Sequence, residues 1–132
     1  MRVLDNLVPE KVFYYFEELC NIPHGSTNTK AISDYCVNFA KERGLAYHQD
    51  PENNIIILKN GSKGYEDSKP VIIQGHLDMV CEKEADCTID FEKDGLSLAI
   101  DGDYIYAEGT TLGGDDGIAV AMALAILDDD TL

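Results

Sequence analysis

The sequence predicts an α/β domain in which a mixed β-sheet is flanked by helices. Three observations carry that expectation. Two amphipathic helical patterns open the chain, strand-like segments follow them, and a nearly all-apolar helix enters from a glycine-rich turn close to Leu132. With 132 residues, 45% of them hydrophobic, the chain can bury one modest core.

The first helix is expected to open at Pro9. Val12, Phe13, Phe16, Leu19 and Cys20 then fall on one apolar stripe. The segment Ile22-Pro23-His24-Gly25-Ser26 breaks the pattern. A second helix is expected from Thr27 or Asn28, either of which can cap it, through Ala31, Ile32, Tyr35, Cys36, Phe39 and Ala40. Gly44 supplies its left-handed stop. Residues 45–49 and 54–59 flank Asp50-Pro51-Glu52-Asn53 and read as a hairpin. The wholly apolar, β-branched Val71-Ile72-Ile73 reads as a strand covered on both faces. Residues 96–100 and 104–107 read as a second hairpin about Asp101-Gly102. Gly117 to Leu127 is apolar at nearly every position, the pattern of a helix buried on all sides. A helix of that kind so close to Leu132 points to the front part of a larger polypeptide. It also predicts exposed apolar surface and self-association of the 132 residues alone.

Composition narrows the partners. Ten Lys and Arg against 25 Asp and Glu give a formal net charge of −15, and no basic residue follows Lys93. Such a chain repels phosphate backbones and anionic lipid, which argues against nucleic-acid and membrane partners. No apolar stretch reaches the roughly 20 residues needed to cross a bilayer, and residues 1–10 lack a signal-peptide pattern. Cys20, Cys36, Cys81 and Cys87 show no C-x-x-C spacing, and Cys20 and Cys36 lie on apolar helix faces. Reduced thiols and a cytoplasmic location are expected.

Two segments carry candidate chemistry. In Gln74-Gly75-His76-Leu77-Asp78-Met79-Val80, residues two apart in extended backbone share a side, so His76 and Asp78 converge at a strand's carboxyl end. A metal-bound imidazole commonly donates its other ring N–H to a carboxylate, which suits His76 as ligand and Asp78 as its orienting partner. A strand-end histidine beside a solvated aspartate is the plainer alternative. In Thr110-Thr111-Leu112-Gly113-Gly114-Asp115-Asp116-Gly117, two adjacent acids sit among glycines before the apolar helix. Simple capping of the helix dipole by Asp115 and Asp116 is the competing reading. The two segments together are much rarer than either alone.

Other motifs fail. Asp101-Gly102-Asp103 starts like a calcium loop, but Ile105, Tyr106 and Leu112 stand where ligands and a glycine are needed. Gly113, Gly114 and Gly117 lack dinucleotide-turn spacing. Neither Ser26 nor Ser62 sits in a nucleophile elbow. His24 and His48 read as loop and strand residues, and Cys81 and Cys87 as members of a surface loop.

Gly75 to Val80, Thr110 to Gly117 and the apolar helix behind them resemble the aminoacyl-histidine dipeptidases, also called Xaa-His or β-alanyl-histidine dipeptidases or peptidase D. These are members of the co-catalytic zinc exopeptidases. The opening Pro-Glu-Lys-Val-Phe-Tyr-Tyr-Phe helix and the Ile-Pro-His-Gly-Ser break share the likeness. The resemblance implies that His76 binds one of two Zn2+ ions (Co2+ or Mn2+ in their place), that Asp78 orients it, and that Asp115 bridges both ions. It implies a cis bond between Asp115 and Asp116, where Asp116 replaces the usual Asn. It further implies a small dipeptide substrate and a homodimeric full-length enzyme. Residues 1–132 would then be the N-terminal portion of the catalytic domain. The family's general-base Glu, its remaining ligands and its lid or dimerisation domain match nothing up to Leu132, so this chain alone is expected to hold metal weakly and to catalyse nothing. A catalytically dead acidic binding module that keeps the peptidase fold is the competing expectation.

Overall fold

A computed structural model describes residues 2–132. Helix α1 (Glu10–Cys20) begins directly after Pro9, which stands at the N-cap in extended backbone. Its stripe buries Tyr15, Phe16, Leu19 and Cys20. Glu17 on the same helix is also buried, a position that a carboxylate holds only when well partnered. It accepts the backbone N–H groups of Val3 and Leu4 at 2.7 and 3.1 Å and faces Arg2 Nε at 3.4 Å, pinning the first residues to α1.

Helix α2 (Lys30–Glu42) starts later than the sequence suggests, with Thr29 at the N-cap. Thr27 takes φ +72°, and the Asn28 N–H closes a turn onto Gly25 O at 2.9 Å, so both expected caps are consumed by the preceding loop. The stop at Gly44 holds. Gly44 has φ +65°, its N–H bonds Lys41 O, and the Leu45 N–H reaches back to Ala40 O at 2.9 Å. That pair of bonds is the Schellman arrangement.

Strands β1 (Ala46–Gln49) and β2 (Ile55–Leu58) pair antiparallel, with Gln49 opposite Ile55. Asp50 organises the loop by accepting the N–H groups of Glu52 and Asn54, both at 2.9 Å. Strands β3 (Leu98–Asp101) and β4 (Tyr104–Ala107) form the second antiparallel hairpin. Its two-residue loop is Gly102-Asp103, one position beyond the expected turn, because Gly102 occupies the left-handed region at φ +58°. The α/β architecture holds. The strands lie in two separate two-stranded sheets, with isolated bridges at Gly25–Met79 (parallel) and Lys83–Thr110 (antiparallel).

Two expectations of burial are corrected. Val71, Ile72 and Ile73 form no strand and are 85, 90 and 53% exposed. An apolar run becomes a covered strand only when another segment pairs with it, and no described residue does so. Helix α3 (Gly114–Leu127) buries Ala121 and Leu124 and leaves Met122 and Ile126 exposed. It packs along α1 by one face only. Gly117 makes that approach close, since a Cβ there would sit 3.4 Å from the Phe16 ring. No described helix is long and apolar enough to cross a membrane. All four cysteines are free, and burial pushes the Cys20 and Cys36 thiols up to about 12.

The far end of α3 is tied by a polar cluster. Asp128 Oδ1 accepts Arg43 Nε at 2.6 Å, Oδ2 accepts the Tyr15 hydroxyl at 2.8 Å, and Lys11 lies 3.1 Å away. Partial burial by itself would raise the Asp128 carboxyl, but the bonds from Arg43, Tyr15 and Lys11 outweigh it and bring the pKa from 3.8 to about 2. A carboxyl whose folded value lies below its unfolded one stabilises the fold above the unfolded value, and that contribution is lost as pH falls towards the folded one. Roughly 2 kcal/mol is therefore expected to disappear between about pH 4 and pH 2. Urea melts across that range check this. Asp128→Asn should flatten the acid limb relative to the parent chain, and an unchanged limb would remove Asp128 from the account.

Candidate functional site

The site gathers three chain segments. Residues 74–78 form no regular strand, and the segment brings the side chains of His76 and Asp78 together. Gly75 permits the approach to α3, because a Cβ there would stand 2.7 Å from Asp116 Oδ2 and 3.3 Å from Val120 Cγ2. The second segment is the front of α3. Gly113 has φ +73°, and a Cβ on it would meet Met79 Sδ at 3.0 Å, so both its backbone and its neighbours demand glycine. Asp115 and Asp116 are non-helical and joined by a cis peptide bond, as is Val8–Pro9. The regular helix starts at Gly117, whose N–H bonds Gly113 O at 3.1 Å. The Asp115 side chain is 96% exposed.

His76 lies between two carboxylates. Nδ1 is 3.1 Å from Asp78 Oδ1 and 3.0 Å from the Asp78 carbonyl oxygen. Nε2 is 3.1 Å from Asp115 Oδ1, across thirty-nine positions of sequence. The Asp78 carbonyl oxygen and Asp115 Oδ1 can both only accept, so Nδ1 carries a hydrogen, Nε2 carries one when the ring is protonated, and Nε2 of the neutral ring is the atom left to meet a cation. The bond to Asp115, aided by Asp78 and opposed by slight desolvation, raises the His76 pKa above its ordinary value. The Asp78 carboxyl is held below its ordinary range, first by a hydrogen bond from Ser26 and then by His76. All of these groups are substantially exposed, so water screens their mutual attraction.

The third segment, 22–26, was legible in the sequence as a helix break and as part of the resemblance, with no role assigned to its residues. The Met79 N–H bonds His24 O at 3.0 Å, and the Ser26 N–H bonds Met79 O at 3.2 Å. The Ser26 hydroxyl donates to Asp78 Oδ2 at 2.7 Å. His24 is buried, and its Nδ1 donates to Ile22 O at 2.6 Å; burial lowers its pKa, which keeps it neutral and structural. His48 is exposed on β1 opposite Ile56, far along the chain from the site segments.

An imidazole nitrogen facing a carboxylate oxygen is a donor pair suited to zinc and similar divalent ions. His76 Nε2 and Asp115 Oδ1 therefore fit one edge of a metal site. No group of three or more His, Cys, Asp or Glu placed to hold a metal occurs among the described residues. A cleft of about 550 Å³ runs from His76 and Asp78 between the β1–β2 hairpin and α3, with Ile57, Ile73, Leu77 and Val120 in its walls.

No family model matches the chain. Over all 132 residues it is 42% identical to the cytosol non-specific dipeptidase of Escherichia coli (strain K12), covering 27% of that protein. The crystal structure of aminoacylhistidine dipeptidase from Vibrio alginolyticus matches it with a TM-score of 0.93 and 38% identity, over 96% of this chain and 26% of the other. The chain spans about a quarter of the length of the relatives it matches. In both sequence and fold, along essentially its whole length, the chain is similar to a part of these dipeptidases.

Proposed function

We propose that this chain forms one edge of a two-zinc dipeptidase centre, and that in a protein of its relatives' length it serves the hydrolysis of Xaa-His dipeptides such as carnosine. The observation that carries the reading is the meeting of His76 Nε2 and Asp115 Oδ1 at 3.1 Å, with the other imidazole nitrogen turned onto Asp78. His76 would hold one ion and Asp115 would bridge two, with Co2+ or Mn2+ as substitutes for Zn2+. When bound, the ions supply Lewis acidity to the scissile carbonyl and to water. Asp78 fixes the hydrogen on Nδ1 and thereby presents the Nε2 lone pair. The cleft beside His76 offers apolar walls to a small dipeptide. Residues 1–132 form the front portion of the catalytic domain in this reading, and the general base and further ligands come from elsewhere in a longer protein. The chain by itself then binds zinc weakly and hydrolyses nothing. The cytosol is its location, as the name of the E. coli relative states for that protein.

Zinc analysis and carnosine hydrolysis, run on the 132-residue chain and on the dipeptidase-length protein, test the proposal. Zinc and turnover in the longer protein, with neither or only weak zinc in the short chain, support it. The competing reading is an acidic binding module that keeps the fold without the reaction. A dipeptidase-length protein that takes up no zinc and leaves carnosine intact would establish that module instead.

The longer protein is proposed to be a homodimer, and the short chain to self-associate through its open apolar run. Ile72, at 90% exposed, contributes apolar area without supporting the fold. Ile72→Lys is expected to reduce concentration-dependent association in sedimentation and to leave the melting midpoint unchanged. Equal association by parent and variant would exclude the run as the contact.

A further inference from the structure

Ser26 stands fifty-two positions before Asp78, in a loop that the helix pattern marks only as a break. Two backbone bonds, from Met79 N–H to His24 O and from Ser26 N–H to Met79 O, lash that loop alongside residue 79. They form the parallel bridge between Gly25 and Met79. The fit is close, since a Cβ on Gly25 would come within 2.8 Å of Cys81 Sγ. The lashing brings the Ser26 hydroxyl 2.7 Å from Asp78 Oδ2, while Asp78 Oδ1 faces His76 Nδ1. The two oxygens of one carboxylate are thus claimed by two different donors, and the carboxylate plane is fixed.

We propose that Ser26 is a positioning residue of the zinc centre: its hydroxyl holds the Asp78 carboxylate so that Oδ1 keeps the hydrogen on His76 Nδ1 and leaves Nε2 free to bind the ion. The inference rests on the dipeptidase reading of His76 and extends it to the loop 22–26. Without the hydroxyl, Asp78 rotates and Nδ1 keeps only the neutral Asp78 carbonyl oxygen, at 3.0 Å, in place of a carboxylate and a carbonyl together. Asp115 Oδ1, 3.1 Å from Nε2, then draws the hydrogen to the ring atom that the metal needs. Zinc must displace that hydrogen before binding.

The test compares the parent 132-residue chain with Ser26→Ala and Ser26→Thr. Long-range proton–nitrogen NMR reads the tautomer of neutral His76 in the metal-free chain, and competition against a chromophoric chelator reads affinity for Zn2+ alone in the same variants of the dipeptidase-length protein. Ser26→Ala is expected to move His76 towards the Nε2–H form and to weaken zinc binding about tenfold, the lower end of what outer partners of a ligand contribute. Ser26→Thr, which restores a hydroxyl, is expected to recover both. Ser26 is exposed, so circular dichroism should show all three chains equally folded. An unchanged tautomer in Ser26→Ala overturns the inference, whether or not affinity falls, because a loosened loop alone would not move the hydrogen. Failure of the parent chain and of the dipeptidase-length protein to bind zinc would instead overturn the dipeptidase reading, and the tautomer of the metal-free chain would still decide the role of Ser26.

Discussion

Asp115→Asn, introduced into the dipeptidase-length protein, is expected to lower Xaa-His hydrolysis by more than about a hundredfold. Outer partners of metal ligands typically contribute 10–100-fold to affinity or activity, and a bridging ligand must contribute more. Asparagine preserves the shape of the side chain but removes the charge that would hold two cations close together. The resulting amide oxygen is a poor zinc donor, and the amide nitrogen would face the ions as a hydrogen-bond donor. Stability is not at issue, because the Asp115 side chain is 96% exposed and its carboxylate meets only His76. The unfolding free energy should therefore match that of the parent to within about 0.5 kcal/mol. Zinc affinity measured by chelator competition should fall with turnover. A variant that retains parental affinity and turnover would remove Asp115 from the centre and leave His76 as a surface imidazole beside an ordinary helix cap.

The elements that were legible in the sequence are those whose signal is local. The α1 stripe, the Gly44 stop and both hairpins depend on residues a few positions apart, and each stands within one to three residues of expectation. Val71 to Ile73 and the outer faces of α3 were misjudged for a common reason. Apolar character shows what a segment would gain by burial, but not whether anything lies against it, and here no described residue does. The site divides in the same way. The alternation that places His76 and Asp78 on one side is a two-residue property, readable from the chain. The approach of Asp115 to Nε2 spans thirty-nine positions, and only a rare combination of motifs pointed to it. Ser26 and Gly75 entered the sequence reading only as members of motifs that carry the resemblance, with no role of their own. Their importance comes from contacts with Asp78 and Asp116, and neither contact leaves a period or a spacing in the sequence.

Leu19→Ala is expected to be the most destabilising of the simple truncations, at about 3 kcal/mol. Leu19 is 1% exposed and belongs to the cluster that joins Phe16 and Phe39 to Ala121 and Leu124. Removing buried methyl groups there forfeits their transfer from water and opens a cavity between α1 and its neighbours, a combination that costs 2–5 kcal/mol in well-packed cores. Folded domains hold only about 5–15 kcal/mol in reserve, so one truncation would consume a fifth or more of it. At a few degrees per kcal/mol, the melting midpoint should fall by roughly 10 °C. Met122→Ala supplies the control, because that side chain on α3 is 49% exposed and already meets water. It should change stability by less than about 1 kcal/mol. The same pair of variants shows what holds the metal edge in place. Asp115 enters the site from the front of α3, and α3 is anchored to the molecule through α1. Leu19→Ala should therefore reduce zinc binding only in proportion to the unfolded fraction, with affinity per folded molecule unchanged. Equal destabilisation by both truncations would mean that the cluster around Leu19 is no better packed than the outer face of α3, and that the anchor of Asp115 lies elsewhere.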